Sequence, residues 1–337
     1  MSDGNKKRDW RVFETLYYKL LAYYTDILKA KHKSELLTRL TNHKAIKIID
    51  STTISLCLSI FDWAKFRTAK GGLKIHVAFD DALALPDLIN ITEAATADLN
   101  GHPRRIYPAG TILLEDRGYV DYGLFRERCL ADNHFVTRCK SSMSYEVLSE
   151  RELPANGDAH ILVDQEILLT GKKAVDAGLG DLALRRVVIY DEAQDRTIEL
   201  LTNNFEWTAA TVGELYKHRW AIELFFKSLK QNLQIKTFTG TSPNAVRSQI
   251  YVALICYLLL ELLRRCTCKA SHAFSNFVER IRICLSYYLS LEYVCNGIRQ
   301  GAWKVKPDNK PQDLFSAFEP QIQPATTGTG TQLSLYG

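Results

Sequence analysis

The sequence predicts a mixed α/β fold interrupted by a β-rich block. Strand-like apolar runs separated by turns begin at Ala45. Helix-like periodicity precedes them and returns after residue 207. Between residues 144 and 203 lie three further strand runs without an obvious helix. A chain of 337 residues can bury a substantial core, as one large domain with an insertion or as two domains.

Taken in order, residues 9–41 read as helical, because "FETLYYKLLAYYTDILKA" is apolar at helical spacing with no Pro or Gly inside it. "AIKIID", "LKIHVAFD", "LINITEA" and "TILLED" then read as strands, "YGLFRERCLADN" as a helix and "HFVTRCK" as another strand. In the inserted block "HILVDQEILLTG", "LALRRVVIYDE" and "TIELLTN" are separated by the turn-rich "PANGD" and "AGLGD". Thr211 and Glu214 carry a capping-box spacing that predicts one helix from near Val212 to about Asn232. Ser242-Pro243 starts the next, through the apolar run from Ile250. That run carries Glu261 and falls short of a bilayer span, so a buried helix is expected. The expected divisions are a helical leader at 1–42, a first core part at 43–143, the β-rich insertion at 144–206, a helical completion at 207–305 and a disordered tail at 306–337.

The opening residues are polar with no apolar segment behind them, which argues against a secretory signal. Eight cysteines without an export signal imply reduced thiols. Cys266, Cys268 and His272 lack a fourth ligand at zinc spacing, and His76 and His102 are expected to be structural. A net charge of +5 permits a polyanionic partner, and Lys217, Arg219, Lys227, Lys230, Lys236 and Arg247 concentrate near one helix and its exit.

On a helical wheel Tyr216, Arg219, Glu223 and Lys230 fall within about 60° of one another, bordering the apolar set Leu215, Ile222, Phe226, Leu229 and Leu233. The simplest reading is a solvated flank with an Arg219–Glu223 pair. Two aspartates offer another: Asp50 and Asp116 close predicted core strands, where open α/β sheets place their crevices. With Glu223 they make three carboxylates from three segments. Hard divalent cations such as Mg²⁺ accept such oxygens, and the neighbouring cations suit a phosphodiester backbone.

"YKHRWAIELFFKSLK" has the pattern Y-x2-R-x3-E-x6-K, "IIDSTTI" surrounds the first Asp, "EDRGYVDYGLF" the second, and "QIKTFTGTSPNAVRSQIYVAL" follows the glutamate. In these motifs, spread over residues 45–265, the chain resembles the insertion-sequence-four group of DDE transposases. The resemblance implies a ribonuclease H-like catalytic core with a β-rich insertion before the glutamate helix. It makes Asp50, Asp116 and Glu223 the metal-binding catalytic triad, and Tyr216, Arg219 and Lys230 phosphate contacts near the transposon end. Thr52, Arg117 and Tyr119 become candidates beside the aspartates, and Trp207 a candidate surface for a flipped base. Two Mg²⁺ ions, replaceable by Mn²⁺, are implied as cofactors. The implied partners are double-stranded DNA, as transposon ends and target, and a second copy of the chain in the synaptic complex, with no membrane, on bacterial nucleoid DNA.

Such relatives carry a helical DNA-binding region well ahead of the first Asp, whereas Asp50 here follows a short leader. Two alternatives therefore stand beside an active transposase: a DNA-binding transposon relic without catalysis, and a ribonuclease H-like nuclease that cuts but does not join. A two-carboxylate glycosidase leaves the basic stripe unexplained.

Overall fold

The computed structural model describes residues 8–31, 35–40, 45–56, 65–67, 70–153, 160–233, 235, 238–267 and 273–289. The expected tail at 306–337, Lys236, Cys268 and His272 lie outside them.

β1 (Ala45–Leu56) is buried on both faces from Ile46 to Ile49, and burial alternates only beyond Asp50. It pairs antiparallel with β3 (Lys70–Asp80), which also pairs with β2 (Lys65–Arg67) and β4 (Leu85–Glu93). On its other side β1 runs parallel to β5 (Thr111–Glu115), whose residues are all buried, and β5 runs parallel to β6 (His134–Arg138). A strand buried on both faces reads as a continuous apolar run, as "TILLE" does.

The helices α1 (Arg11–Lys31) and α2 (Glu35–Arg39) precede the sheet, and between β4 and β5 lies the short helix α3 (Asp98–Gly101). The helix α4 (Tyr122–Leu130) connects β5 to β6, capped by Asp121, whose side chain accepts from the Leu124 N–H.

The block expected as an insertion contributes β7 (Tyr145–Glu150), β8 (Ile161–Leu169), β9 (Leu184–Asp191) and β10 (Arg196–Thr202). These extend the same sheet, in the order β2-β3-β1-β5-β6-β10-β9-β8-β7. The block is not free of helix, since α5 (Lys172–Asp176) lies within it.

Two helices carry the signature residues. α6 (Ala209–His218) begins where Thr208 accepts from the Thr211 N–H, so the cap is three residues earlier than the Thr211–Glu214 spacing suggests. α7 (Ala221–Gln231) follows at once. The single helix expected across this stretch is divided at Arg219 and Trp220, whose ψ angles of −27° and −18° are those of a 3₁₀ turn. Short-range bonds tighten it, from Arg219 N–H to Tyr216 O and from Glu223 N–H to Trp220 O.

The longest helix, α8 (Pro243–Thr267), is capped by Ser242, which accepts from the Ala245 N–H. Residues 243–266 are long and apolar enough to cross a membrane, but half of the apolar window is buried in the fold. Here α8 packs on α1 (Arg11–Lys31), with the rings of Trp10 and Tyr251 stacked at 5.6 Å. Glu261 interrupts its apolar run without penalty because Arg264 and Arg265 donate to it at 2.7 and 2.8 Å. Arg265 continues to the carbonyls of Leu28 and Leu83, tying helix to core.

The main core holds Ile46, Ile48, Val77, Ile112 and Val136 of the sheet beneath Leu215, Ile222, Phe225 and Leu229 of α6 and α7. A second cluster on the opposite face gathers Ile49, Leu113, Phe125 and Phe135. The last described helix is α9 (Phe274–Tyr287), most of which falls in a second unit that begins at Asn276.

Candidate active site

The shared ladder of β1 and β5 ends at the pair Ile49–Glu115. Asp50 and Asp116 are the next residues on each strand, so two carboxylates leave the sheet side by side where neighbouring parallel strands are about 4.8 Å apart. Asp50 is not the last residue of its strand, as the sequence suggested. β1 continues to Leu56 against β3 alone, and Asp50 sits where its parallel partner stops. After Asp116 the chain turns through a 3₁₀ segment, Arg117–Tyr119.

Helix α7 packs on β1 and brings Glu223 to the same place. Arg219, at the tight turn between α6 and α7, donates to Asp50 Oδ2 at 2.7 Å and to Glu223 Oε1 at 3.0 Å. Tyr216 donates its hydroxyl to Asp116 Oδ1 at 3.2 Å. The Ser51 N–H holds the other Asp50 oxygen at 2.8 Å. Arg219 also stands 5.8 Å from the Tyr216 ring centre, within cation–π range.

Burial pushes the Asp50 carboxyl up to about 6, against the pull of Arg219 and the Ser51 N–H; Asp116 and Glu223 raise it further. The Tyr216 phenol is raised by burial and by the Asp116 charge. This is a site with surplus negative charge, answered by one guanidinium.

A cleft of about 450 Å³ opens between β1 and α7. Asp50, Ser51 and Thr52 line one side, Glu223 and Phe226 the other, and Lys227, Lys230 and Gln231 complete it. Lys230 therefore faces the cleft, as the wheel implied, and the exposed Lys227 adds a second cation that the four-residue signature omits. Arg117 is exposed immediately after Asp116.

Other sequence candidates are placed differently. Tyr119 is buried, 1% exposed, and its ring packs edge-on against His102, so it is not a surface for DNA. Trp207 is also buried, at 7%, within the core beneath α6 and against the His134 ring. Its carbonyl accepts from the buried Arg185, which Asp164 holds at 2.6 and 2.7 Å. An indole enclosed in this way cannot stack a flipped base. An exposed indole is found at Trp220, the residue after Arg219, at 57%. Its signal was present inside the signature, but a wheel drawn through an unbroken helix gives no reason to select it. His76 and His102 are buried as expected, with burial depressing the His76 imidazole to about 4.

Asp50, Asp116 and Glu223 offer only carboxylate oxygens, the donor chemistry that suits Mg²⁺ or Mn²⁺. Among the described residues no three acidic, His or Cys side chains converge closely enough to ligate one ion. Two of the carboxylates instead converge on Arg219, which supplies the positive charge their proximity requires. The donor set thus fits a divalent cation in kind.

A sequence model of the family described as "Transposase DDE domain" matches residues 41–259, the region that contains this whole site. The chain is 36% identical over 229 residues to "Putative transposase y4zB" of Sinorhizobium fredii, covering 68% of this chain and 63% of that protein. It is 29% identical over 253 residues to "Probable transposase for insertion sequence element IS5377" of Geobacillus stearothermophilus, covering 74% and 65%. It is also 27% identical over 158 residues to "Transposase InsG for insertion sequence element IS4" of Escherichia coli, covering 45% and 34%. The first two matches span just under two thirds of those relatives. With its two sheet-borne aspartates and helix-borne glutamate lying inside the matched region, the chain belongs to the DDE transposase family, in its insertion-sequence-four group.

Proposed function

We propose that the chain cleaves DNA at transposon ends and joins the freed 3′-hydroxyl to target DNA, with Asp50, Asp116 and Glu223 as its catalytic triad. The observation that carries this reading is the meeting of Asp50 and Glu223 on one guanidinium, beside an aspartate leaving the adjacent strand. A ribonuclease H-like core is supported by the arrangement about β1, with antiparallel neighbours on one side, parallel ones on the other and the glutamate helix packed on the sheet. In this reading β7 to β10 are an insertion that prolongs the core sheet.

Two Mg²⁺ ions held by the three carboxylates, with Mn²⁺ as a substitute, would supply activation of the attacking oxygen and neutralisation of the leaving oxygen. The chain's own residues do the rest. Lys227 and Lys230 offer phosphate contacts along the cleft, and Thr52 lines its floor. Arg117 extends the positive surface beside Asp116. Arg219 holds Asp50 and Glu223 together before DNA arrives, and Tyr216 orients Asp116. Trp220 replaces Trp207 as the aromatic surface for an unpaired base. Joining two ends calls for two copies of the chain on DNA.

The test is strand cleavage and transfer of an end-containing duplex with Mg²⁺. Glu223→Gln should remove both activities, and undiminished activity would sink the triad. Cleavage without joining marks a nuclease, and salt-dependent binding without cleavage marks a non-catalytic DNA-binding protein.

A further inference from the structure

Asp98 is a fourth carboxylate beside the site, outside every motif read from the sequence. It begins α3, and that helix packs on the 3₁₀ turn that follows Asp116. Asp98 Oδ1 accepts from Ser51 Oγ at 2.6 Å, the short distance of a bond to a charged acceptor. The same oxygen lies 3.2 Å from Lys74 Nζ on β3, and Lys74 is itself fixed by donating to the Thr96 carbonyl at 2.9 Å. A Cβ added at Gly118 in that turn would reach only ordinary van der Waals contact with Asp98 Oδ2, at 3.4 Å.

The Ser51 contact leads to a triad aspartate. Ser51 follows Asp50, and its N–H is the donor on Asp50 Oδ1. Gly118 lies two residues after Asp116 in the turn that carries the chain away from the site. One carboxylate therefore anchors the residue that orients Asp50, from a helix that packs on the turn beginning at Asp116. A surface acid serving only to neutralise Lys74 has no need of the Ser51 bond.

We infer that Asp98 is a positioning residue for Asp50, acting on it through Ser51. The inference rests on the reading of Asp50, Asp116 and Glu223 as a divalent-cation site. Groups that orient metal ligands typically change affinity ten- to a hundredfold when removed.

Titration of Mn²⁺ into the full-length chain, followed by the resonance of the free ion, tests this without DNA or turnover. Asp98→Ala and Ser51→Ala should each weaken Mn²⁺ binding about ten- to a hundredfold with the melting temperature little changed. The double variant should be no weaker than the weaker single one, since both break one link. Asp98→Asn, which keeps an acceptor for Ser51 Oγ, should recover most of the affinity. If Asp50→Asn loses Mn²⁺ while Asp98→Ala binds as the parent does, the Asp98 inference fails and the triad stands. If the parent binds no Mn²⁺, or Asp50→Asn binds it undiminished, the triad reading fails and this inference with it. Should Asp98→Ala not fold, Ser51→Ala decides: parental affinity in that variant overturns the link. Losses that multiply in the double variant overturn it too.

Discussion

Arg219 donates to Asp50 at 2.7 Å across 169 residues of sequence, and with its other terminal nitrogen it holds Glu223 one helical turn away. The guanidinium occupies the centre of charge of a site whose carboxylates repel one another. Its planar fork is what allows one side chain to serve two acceptors on different elements.

Removing that fork should expose the repulsion. Arg219→Ala is expected to lower the melting temperature in metal-free buffer, and added Mn²⁺ should restore more stability to the variant than to the parent. Arg219→Lys keeps the charge but loses one charge-assisted bond, about 1.5–3 kcal/mol. Thermal scans with and without Mn²⁺ check both; equal Mn²⁺ effects in variant and parent would count against the bridge.

Tyr216 and Asp116 are joined by a single bond at 3.2 Å. Tyr216→Phe keeps the buried ring and removes the hydroxyl, so its cost to stability should be about 0.5–1.5 kcal/mol by chemical denaturation. The ring packing is retained, so a much larger loss would mean that the hydroxyl does more than orient Asp116.

The two tryptophans near the site should separate cleanly. Trp207→Ala empties a core position and is expected to cost about 3–5 kcal/mol of stability. Trp220→Ala removes an exposed ring and should change stability by less than about 0.5 kcal/mol. In a binding assay with an end carrying an unpaired base, Trp220→Ala should lose about 1–3 kcal/mol of stacking. Binding unaffected by Trp220→Ala would remove its assigned role.

The Arg185–Asp164 pair is buried, and Arg185 also holds the Trp207 carbonyl. Arg185→Met leaves the buried Asp164 with only the longer contact to Arg151, at 3.8 Å, for a cost approaching about 3–5 kcal/mol. Pairing it with Asp164→Leu should recover much of that loss. Urea denaturation of the two single variants and the double variant gives the coupling directly.

His218 Nε2 lies 2.6 Å from Asp81 Oδ1, and this hydrogen bond raises the imidazole above its ordinary 6.5, against the effect of burial. A raised folded value means that the folded chain binds the proton more tightly than the unfolded chain. The added stability is full below pH 6.5 and is lost as the pH climbs through the folded value above it. His218→Gln should therefore lie further below the parent in stability at pH 6 than at pH 9, by chemical denaturation at the two values.

Much of this was legible in the sequence because it was local. "TILLED" reads as a buried strand ending in an aspartate, and β5 with Asp116 after it is what forms. Ser242 caps α8 as its Ser-Pro start predicts. Errors came where a local pattern had to be carried across a junction. The Thr211–Glu214 spacing imitates a cap, yet Thr208 makes it, and an ideal wheel hides the tight turn at Arg219. Trp207 stood near the signature, but only the Arg185 and His134 contacts show it enclosed.

The sequence by itself determined the order of the elements, the three candidate carboxylates and the cationic stripe on their helix, since each follows from periodicity, turn chemistry or motif spacing within a short window. Tertiary structure alone decided that Arg219 would join Asp50 to Glu223, that Asp116 would meet Tyr216, and that Asp98 would grip Ser51. Those contacts depend on strand register and helix placement, which set distances between residues that lie far apart along the chain. The β1–β5 ladder stops at Ile49 and Glu115, and that stopping point brings the two aspartates side by side.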